Sequence, residues 1–480
     1  MKKRFLLLLL ILLPAVMFSQ QRSLKKLLTD SLMTHASVSV SIIDGTDGST
    51  IMDYNSEKSL VPASIMKLVT TACALEVLGP SHTFKTSLAY TGSVDKNTGT
   101  LDGNIVITGG GDPSLGSEVF KEYYKGFPDN WISGISALGI RRITGRVISD
   151  DSYFDFEPVP PKWMWEDLGN YYGAGAYGLS IYDNTYRIHF NTLKNSKLPG
   201  VTGIFPPEAS ADLTNRLTVN SGSDSGYVFS APYGNSGWIS GSIPGNEPDF
   251  VLKASVNDPP LLAAKLLTSR LMAAGITVEG EPSTIRTLRD TTLGERVVIL
   301  LTTSPSLERL IEQLNHESVN LYAEHLVKEI GKVFENTGST VAGIDFINKY
   351  LADSVGITPG GIIMNDGSGL SPADRIDSKD LTALLFYMKH RGRYFNEFYS
   401  SLPEGGKNGT LRSWFMEPVF RSTLRAKSGS MTRVRSYAGY LTAKSGKELI
   451  FSIIINNYNG PSQGAVTAIE DILREAAVQN

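Results

Sequence analysis

A serine placed three residues before a lysine on one helix puts a hydroxyl beside an amine, the pairing a nucleophile needs if the amine is to take its proton. Ser64 and Lys67 stand in this relation in PASIMKLVTT, residues 62–71. Pro62 suits the first turn of a helix, where its missing N–H is not needed, and Met66, Leu68, Val69, Ala72 and Leu75 carry a mostly apolar helical pattern onward. The same spacing recurs at Ser23 and Lys26, and an amphipathic helix with a serine near its cap would show it too, so the pair needs company. Two further strings supply it. Ser318-Val319-Asn320 follows a predicted helix break at Asn315-His316, so a hydroxyl and an amide would project together from a helix start. Its twin, Ser255-Val256-Asn257, precedes Asp258-Pro259-Pro260 and reads as a helix cap. Lys427-Ser428-Gly429 lies inside a predicted strand and is followed by Ser430. A lysine and a hydroxyl on a strand edge can grip a carboxylate while a backbone N–H points at a reacting carbonyl. The twin of this string, Lys444-Ser445-Gly446, falls between two strand patterns and reads as a hairpin turn.

The elements that must position these groups come from both ends of the chain. LKKLLTDSLM (24–33) reads as a short helix, SVSVSIID (37–44) and STIMDYN as an antiparallel hairpin, and the helix from Pro62 stops near Gly79-Pro80. Residues 83–155 read as short strands and turns, with Gly109-Gly110-Gly111 a tight turn rather than a phosphate loop, because no Lys-Ser/Thr follows it. Residues 156–250 are rich in Gly, Pro, Ser, Asn and aromatics and fit a small β-rich insert. Helical patterns return at 258–276 and from 305 onward, followed by three strand patterns, 422–430, 436–443 and 448–456, and a closing helix. The last strand is apolar at nearly every residue and is expected to be buried on both faces.

Composition bounds the class of partner. At 480 residues the chain exceeds what one hydrophobic core serves, so two or three domains are expected. A net charge of -3 and the absence of a basic stripe with interleaved aromatics exclude nucleic acid as the expected partner. MKKR followed by FLLLLLILL, Pro14 and Ser19 reads as a cleavable export signal over residues 1–19; the apolar run is shorter than the roughly 20 residues of a membrane span, so no transmembrane anchor is expected after cleavage. The single cysteine, Cys73, is read as a core residue, and six scattered histidines lack metal-ligand spacing, so neither a metal nor another cofactor is expected.

Taken in order, Ser64-x-x-Lys67, Ser318-x-Asn320 and Lys427-Ser428-Gly429 resemble the active-site triplet of penicillin-binding proteins and serine β-lactamases. About 250 residues separate Ser64 from Ser318, much more than in class A β-lactamases. TGGGDPSL (108–115), VISDDSYFD (147–155) and NDGSGLSPADR (365–375) further resemble the D-alanyl-D-alanine carboxypeptidase/endopeptidase family, the class C penicillin-binding proteins of peptidase family S13. The resemblance runs from about residue 24 to the C-terminus and is weakest across 156–250; it departs from the family at Ser428, where threonine is usual.

The resemblance implies an α/β (α+β) fold: a penicillin-binding, β-lactamase-like transpeptidase domain, an antiparallel sheet flanked by helices, with a large β-rich insert. The implied layout is a discontinuous catalytic domain of 20–82 and 300–480, an inserted domain of 83–155 with 251–299, and a second insert of 156–250. It implies Ser64 as nucleophile, Lys67 as its base held neutral by burial and by Lys427, and Ser318 as proton relay. Asn320 would bind the peptide amide, Lys427 and Ser428 the terminal carboxylate, and the N–H groups of Ser64 and Ser430 would form an oxyanion hole. Peptidoglycan stem peptides and β-lactam antibiotics are the implied partners, and the periplasm the implied compartment. For Asp150 two readings stand open: a contact to the amine of a diaminopimelate side chain, or a turn aspartate capping its own backbone. A β-lactamase of the same fold and a non-catalytic wall-binding protein are the competing functions.

Overall fold

In the computed structural model the strand signal SVSVSIID and the apolar run ELIFSIIIN, some 400 residues apart, become neighbours in one sheet. The structure describes residues 21–193, 198–209, 211–220, 222–288 and 293–480; the expected export signal lies outside them. Among the described residues no helix is long and apolar enough to cross a membrane. The described chain divides into two compact units, one of residues 21–80, 311–319 and 344–480, the other of 81–310 and 320–343.

The first unit is built on five antiparallel strands: β1 (Ser37–Asp44), β2 (Thr50–Tyr54), β3 (Leu424–Met431), β4 (Val434–Thr442) and β5 (Glu448–Asn456), in the order β2-β1-β5-β4-β3. The central strand β5 is buried from Leu449 to Asn456, as its unbroken apolar run requires. The Ser/Val alternation of β1 separates two covered faces rather than a dry face from a wet one. Val38, Val40 and Ile42 join a core closed by helices Arg22–Thr29 and Ser462–Gln479, each such side chain contributing about 1.5–3 kcal/mol. On the other face Ser39 Oγ donates to Ser378 Oγ at 2.8 Å and Ser41 Oγ meets Thr382 Oγ1 at 2.9 Å, so helix Ser378–Arg391 covers the serines through hydroxyl pairs. The hydroxyls are tolerated there because each finds a partner.

Helix Lys67–Leu78 is buried from Lys67 to Glu76 and ends at Gly79, whose φ of 82° lets the chain turn away. Cys73 lies within it, and burial pushes its thiol far up, as suits a core side chain. The predicted break at Asn315-His316 is not present. Helix Leu307–Glu317 runs through both residues, and the chain breaks at Ser318, which adopts a left-handed φ of 59°. The polar pair Asn315-His316 suggested a loop, but Asn315 is buried in the helix with its amide on Thr71 and Ser401.

The second unit is assembled from several small sheets. A mixed five-stranded sheet has the order Ser283–Thr284, Val147–Asp150, Ile105–Thr108, Lys85–Tyr90, Val297–Thr303. Strands Gly200–Phe205, Thr185–Asn191 and Phe250–Ser255 form a separate sheet, and Asp212–Asn220, Ser236–Pro244 and Tyr227–Phe229 another. Helix Pro259–Ala273 is capped by Asp258, which accepts from the N–H of Leu261, and helix Asn320–Glu335 is buried over most of its length.

Candidate active site

The chain enters the Ser64 region by an unusual backbone step. Ala63 has φ 50°, a conformation costing a non-glycine residue about 1–3 kcal/mol unless its surroundings impose it. Two contacts impose it here: Ser436 Oγ on β4 donates to the Pro62 carbonyl, and the Ala63 carbonyl lies against Gly369, where a Cβ atom would approach to 2.0 Å. Ser64 therefore stands on a 3-10 turn, Ala63–Met66, and Lys67 is the first residue of the α-helix behind it. The tighter turn keeps the hydroxyl and the amine on one side, and Lys67 Nζ donates to Ser64 Oγ at 3.0 Å and to the Ser368 carbonyl at 2.7 Å.

Strand β3 brings the third string alongside. Gly429 has no room for a side chain: a Cβ there would lie 2.1 Å from Ser436 Oγ, 2.6 Å from the Pro62 carbonyl oxygen and 3.1 Å from the Ser64 nitrogen. That absence of a side chain allows the edge of β3 to run beside the Ser64 turn, with Ser430 exposed on the next residue. Lys427 Nζ donates to Ser318 Oγ at 2.9 Å and to the Ser428 carbonyl at 3.0 Å, and Ser428 Oγ donates to Thr410 Oγ1 at 2.7 Å.

The electrostatics follow from depth. Lys67 and Lys427 are both wholly buried, while Ser64, Ser318 and Ser428 are half-buried above them. Burial drives the Lys427 ammonium well below its ordinary range, the charge of Lys67 drives it further, and Glu317 opposes the shift. Two ammonium groups are thus held where a second positive charge is expensive, and each has a serine hydroxyl within hydrogen-bond reach. A hydroxyl beside a buried amine, with a second amine and hydroxyl adjacent, can do nucleophilic acyl chemistry with internal proton transfer.

Ser64, Lys67, Ser318, Lys427, Ser428 and Ser430 thus all belong to the first unit. Asn320 groups with the second, where it begins helix Asn320–Glu335 and its Nδ2 donates to the Tyr172 carbonyl at 2.8 Å. Asp150 shows the turn-capping arrangement: it accepts from Ser152 N at 3.0 Å and Ser152 Oγ at 2.6 Å, and it is ion-paired with Arg296 at 2.6 Å.

Several groups escaped sequence reasoning. In the sequence the loop of residues 365–375 is legible only as a string, yet its Ser368 carbonyl holds Lys67 and its Gly367 carbonyl accepts from Thr70 Oγ1 at 2.7 Å. Asp366 with small residues after it is the available signal, since an aspartate among Gly and Ser organises turns through its own carboxylate. Thr410 carries no local signal. A cavity of about 950 Å³ opens at the opposite edge of the sheet, lined by Asp53, Phe386 and His390 among others, and none of the motif residues lines it.

Comparison with known proteins bears on this geometry. The chain is 29% identical over 453 residues to a D-alanyl-D-alanine carboxypeptidase of Actinomadura sp. (strain R39), an alignment covering 92% of this chain and 81% of the relative. Among solved structures it is similar to penicillin binding protein 4 (dacB) from Haemophilus influenzae, with a TM-score of 0.79, 21% identity and coverage of 93% and 97% of the two chains. That protein has also been solved in complex with a β-lactam. A predatory peptidoglycan endopeptidase from Bdellovibrio bacteriovorus matches with a TM-score of 0.51, 16% identity and coverage of 93% and 94%. These likenesses show the fold: a mixed α/β penicillin-binding architecture with an antiparallel sheet flanked by helices and a β-rich insert. The sequence profile of one family matches residues 20–476, nearly the whole chain. The chain belongs to the D-Ala-D-Ala carboxypeptidase 3 (S13) family of peptidases.

Proposed function

We propose that this peptidase is a D-Ala-D-Ala carboxypeptidase and DD-endopeptidase that works on peptidoglycan stem peptides and cross-links through a Ser64 acyl-enzyme, and that β-lactams inhibit it covalently. The observation that carries the reading is Lys67 Nζ standing 3.0 Å from Ser64 Oγ with a second buried lysine, Lys427, holding Ser318 beside it. In the proposed reaction neutral Lys67 takes the proton of Ser64 as its oxygen attacks the carbonyl carbon of the penultimate D-Ala. The N–H groups of Ser64 and Ser430 receive the developing oxyanion, a donor of this kind contributing about 3 kcal/mol. As the C–N bond breaks, Ser318 passes a proton to the leaving amine and the terminal D-Ala, or the amine-bearing acceptor strand of a cross-link, departs. Water then attacks the ester, gives a proton to the base and releases Ser64. Asn320 binds the peptide amide, and Lys427 with Ser428 holds the terminal carboxylate. A β-lactam stalls at the ester because its leaving group stays tethered.

The compartment belongs to the same proposal. A substrate in the cell wall and the apolar, positively charged N-terminus of the sequence agree with an exported, periplasmic enzyme. The insert is proposed to form two subdomains, 83–155 with 251–299 and 156–250. The strands of 156–250 pair in sheets of their own, one of which Phe250–Ser255 joins by pairing with Thr185–Asn191.

Labelled penicillin tests the central step. It should attach covalently to the wild type and not to Ser64→Ala; labelling that persists in the variant refutes the nucleophile. Fast turnover of penicillin would identify a β-lactamase instead, and failure to release D-Ala from a model stem peptide would identify a binding protein. Mass spectrometry of products from purified muropeptides separates trimming of monomers from cleavage of dimers.

A further inference from the structure

The loop that holds Lys67 is itself held by two buried carboxyl groups. Asp366 and Asp374 are both wholly buried. Asp366 Oδ1 accepts from the N–H groups of Ser368 at 3.1 Å and Gly369 at 2.6 Å, and its Oδ2 accepts from Ser371 N at 2.7 Å. Asp374 Oδ1 accepts from Asn365 N at 2.7 Å, whereas its Oδ2 is buried without a donor. Three backbone donors suit an ionised Asp366. An ionised Asp374 next to it would leave an oxygen unsatisfied and two like charges in a dry site. Burial first, then the Asp366 charge and the hydrogen bond between the two groups, raise the Asp374 carboxyl far above its ordinary range, to about 10.

We propose that Asp374 donates a proton to Asp366 and that this carboxylic acid–carboxylate pair is the positioning device for Lys67, fixing the 366–371 loop so that the Ser368 carbonyl orients the lysine amine toward Ser64. The pair touches no reacting atom. It acts through Ser368, whose carbonyl accepts from Lys67 Nζ at 2.7 Å. Thr70 on the Gly367 carbonyl and Ala63 against Gly369 anchor the same loop to the turn that carries Ser64. Asp374→Asn preserves the arrangement, because an amide N–H donates to Asp366 as the acid does and the amide oxygen still accepts from Asn365. Asp374→Leu removes the donor, and Asp366→Asn sets an amide among backbone donors that need an acceptor.

The inference rests on the acyl-enzyme reading, and the test separates the two. Penicillin acylation of the full chain is followed by rapid quench and divided into an affinity constant and a rate constant. If the wild type is not acylated, the reading of function fails. With an acylated wild type, Asp374→Leu and Asp366→Asn should lower the rate constant by roughly tenfold or more with affinity little changed, while Asp374→Asn stays within about threefold of the wild type. Equal losses in Asp374→Asn and Asp374→Leu, or none in any variant, overturn the proposal. Should the disruptive variants fail to fold, the infrared difference between wild type and Asp374→Asn at neutral pH decides: a protonated carboxyl C=O band must be present in the wild type and absent from the variant, and its absence from both overturns the shared proton.

Discussion

Ser64 and Lys67 could be read from the sequence because their partnership is local: three residues along one helix fix two side chains as neighbours whatever the rest of the chain does. The influence of Lys427 could not be read with the same directness, since it depends on strand β3 arriving beside the Ser64 turn from more than 350 residues away. Once there, each buried lysine makes a proton on the other more costly, the effect resolved on Lys427. A consequence for catalysis follows if a neutral amine must accept the Ser64 proton. The acylation rate should rise with pH as the lysine pair loses a charge. Lys427→Ala removes the neighbouring positive charge, so the acidic limb of the acylation profile should move to higher pH, along with any loss of affinity for carboxylate-bearing substrates. Pre-steady-state penicillin acylation measured across pH checks this; a changed affinity with an unmoved limb shows that the two lysines are not coupled in the reaction. Ser428 belongs to the same scale. It keeps the hydroxyl expected of threonine and donates it to Thr410, so Thr410→Val should alter discrimination among substrates that end in a carboxylate, measured as a change in KM.

Elements decide whether these residues meet, and here the sequence was partly misleading. The strands and the closing helix were legible from periodicity because their apolar residues face one continuous core. The break before Ser318 was placed too early, since Asn315 and His316 look like loop residues yet the helix absorbs them, Asn315 through buried amide bonds. Nothing local marks the left-handed turn at Ser318 itself. The 365–375 loop was legible as a motif but not as a support, because its task depends on what packs against it. Gly369 makes that dependence testable. Its φ is +77°, and a Cβ would meet the Ala63 carbonyl oxygen at 2.0 Å, a backbone atom that cannot swing aside. Gly369→Ala should therefore push the loop off the Ser64 turn, costing about 1–3 kcal/mol of stability and lowering acylation more than affinity. Gly446 is the control: its φ is +90° but nothing lies within 4 Å, so Gly446→Ala should carry conformational strain and leave acylation unchanged. Denaturant melts with acylation assays on both variants distinguish collision from strain; equal acylation in the two would remove the role assigned to the loop contact.

At the scale of the whole molecule, the buried titrating groups give the protein a pH signature that no single contact reveals. Asp374 binds its proton in the folded state up to about pH 10, whereas in the unfolded chain a carboxyl of this type releases it near 3.8. Between those values the folded state carries the extra proton, so stability is fully present below the unfolded value and is lost as pH rises toward the folded one. Lys427 works in the opposite sense. Its folded value lies well below 10.5, so from that depressed value up to 10.5 the unfolded chain binds more protons and stability rises with pH. The two slopes overlap above the depressed Lys427 value and partly cancel, which conceals both in a wild-type melt. Asp374→Asn lifts the concealment by removing one of them. Relative to wild type, the variant should gain stability steadily from about pH 4 toward pH 10, while Lys427→Met should lose the rising contribution and fall more steeply than wild type toward alkaline pH. Denaturant unfolding at a series of pH values tests both slopes at once. A stability difference between wild type and Asp374→Asn that stays constant across this window would mean that Asp374 is ionised in the folded protein, and the proton held beneath the Lys67 loop would have to be assigned elsewhere.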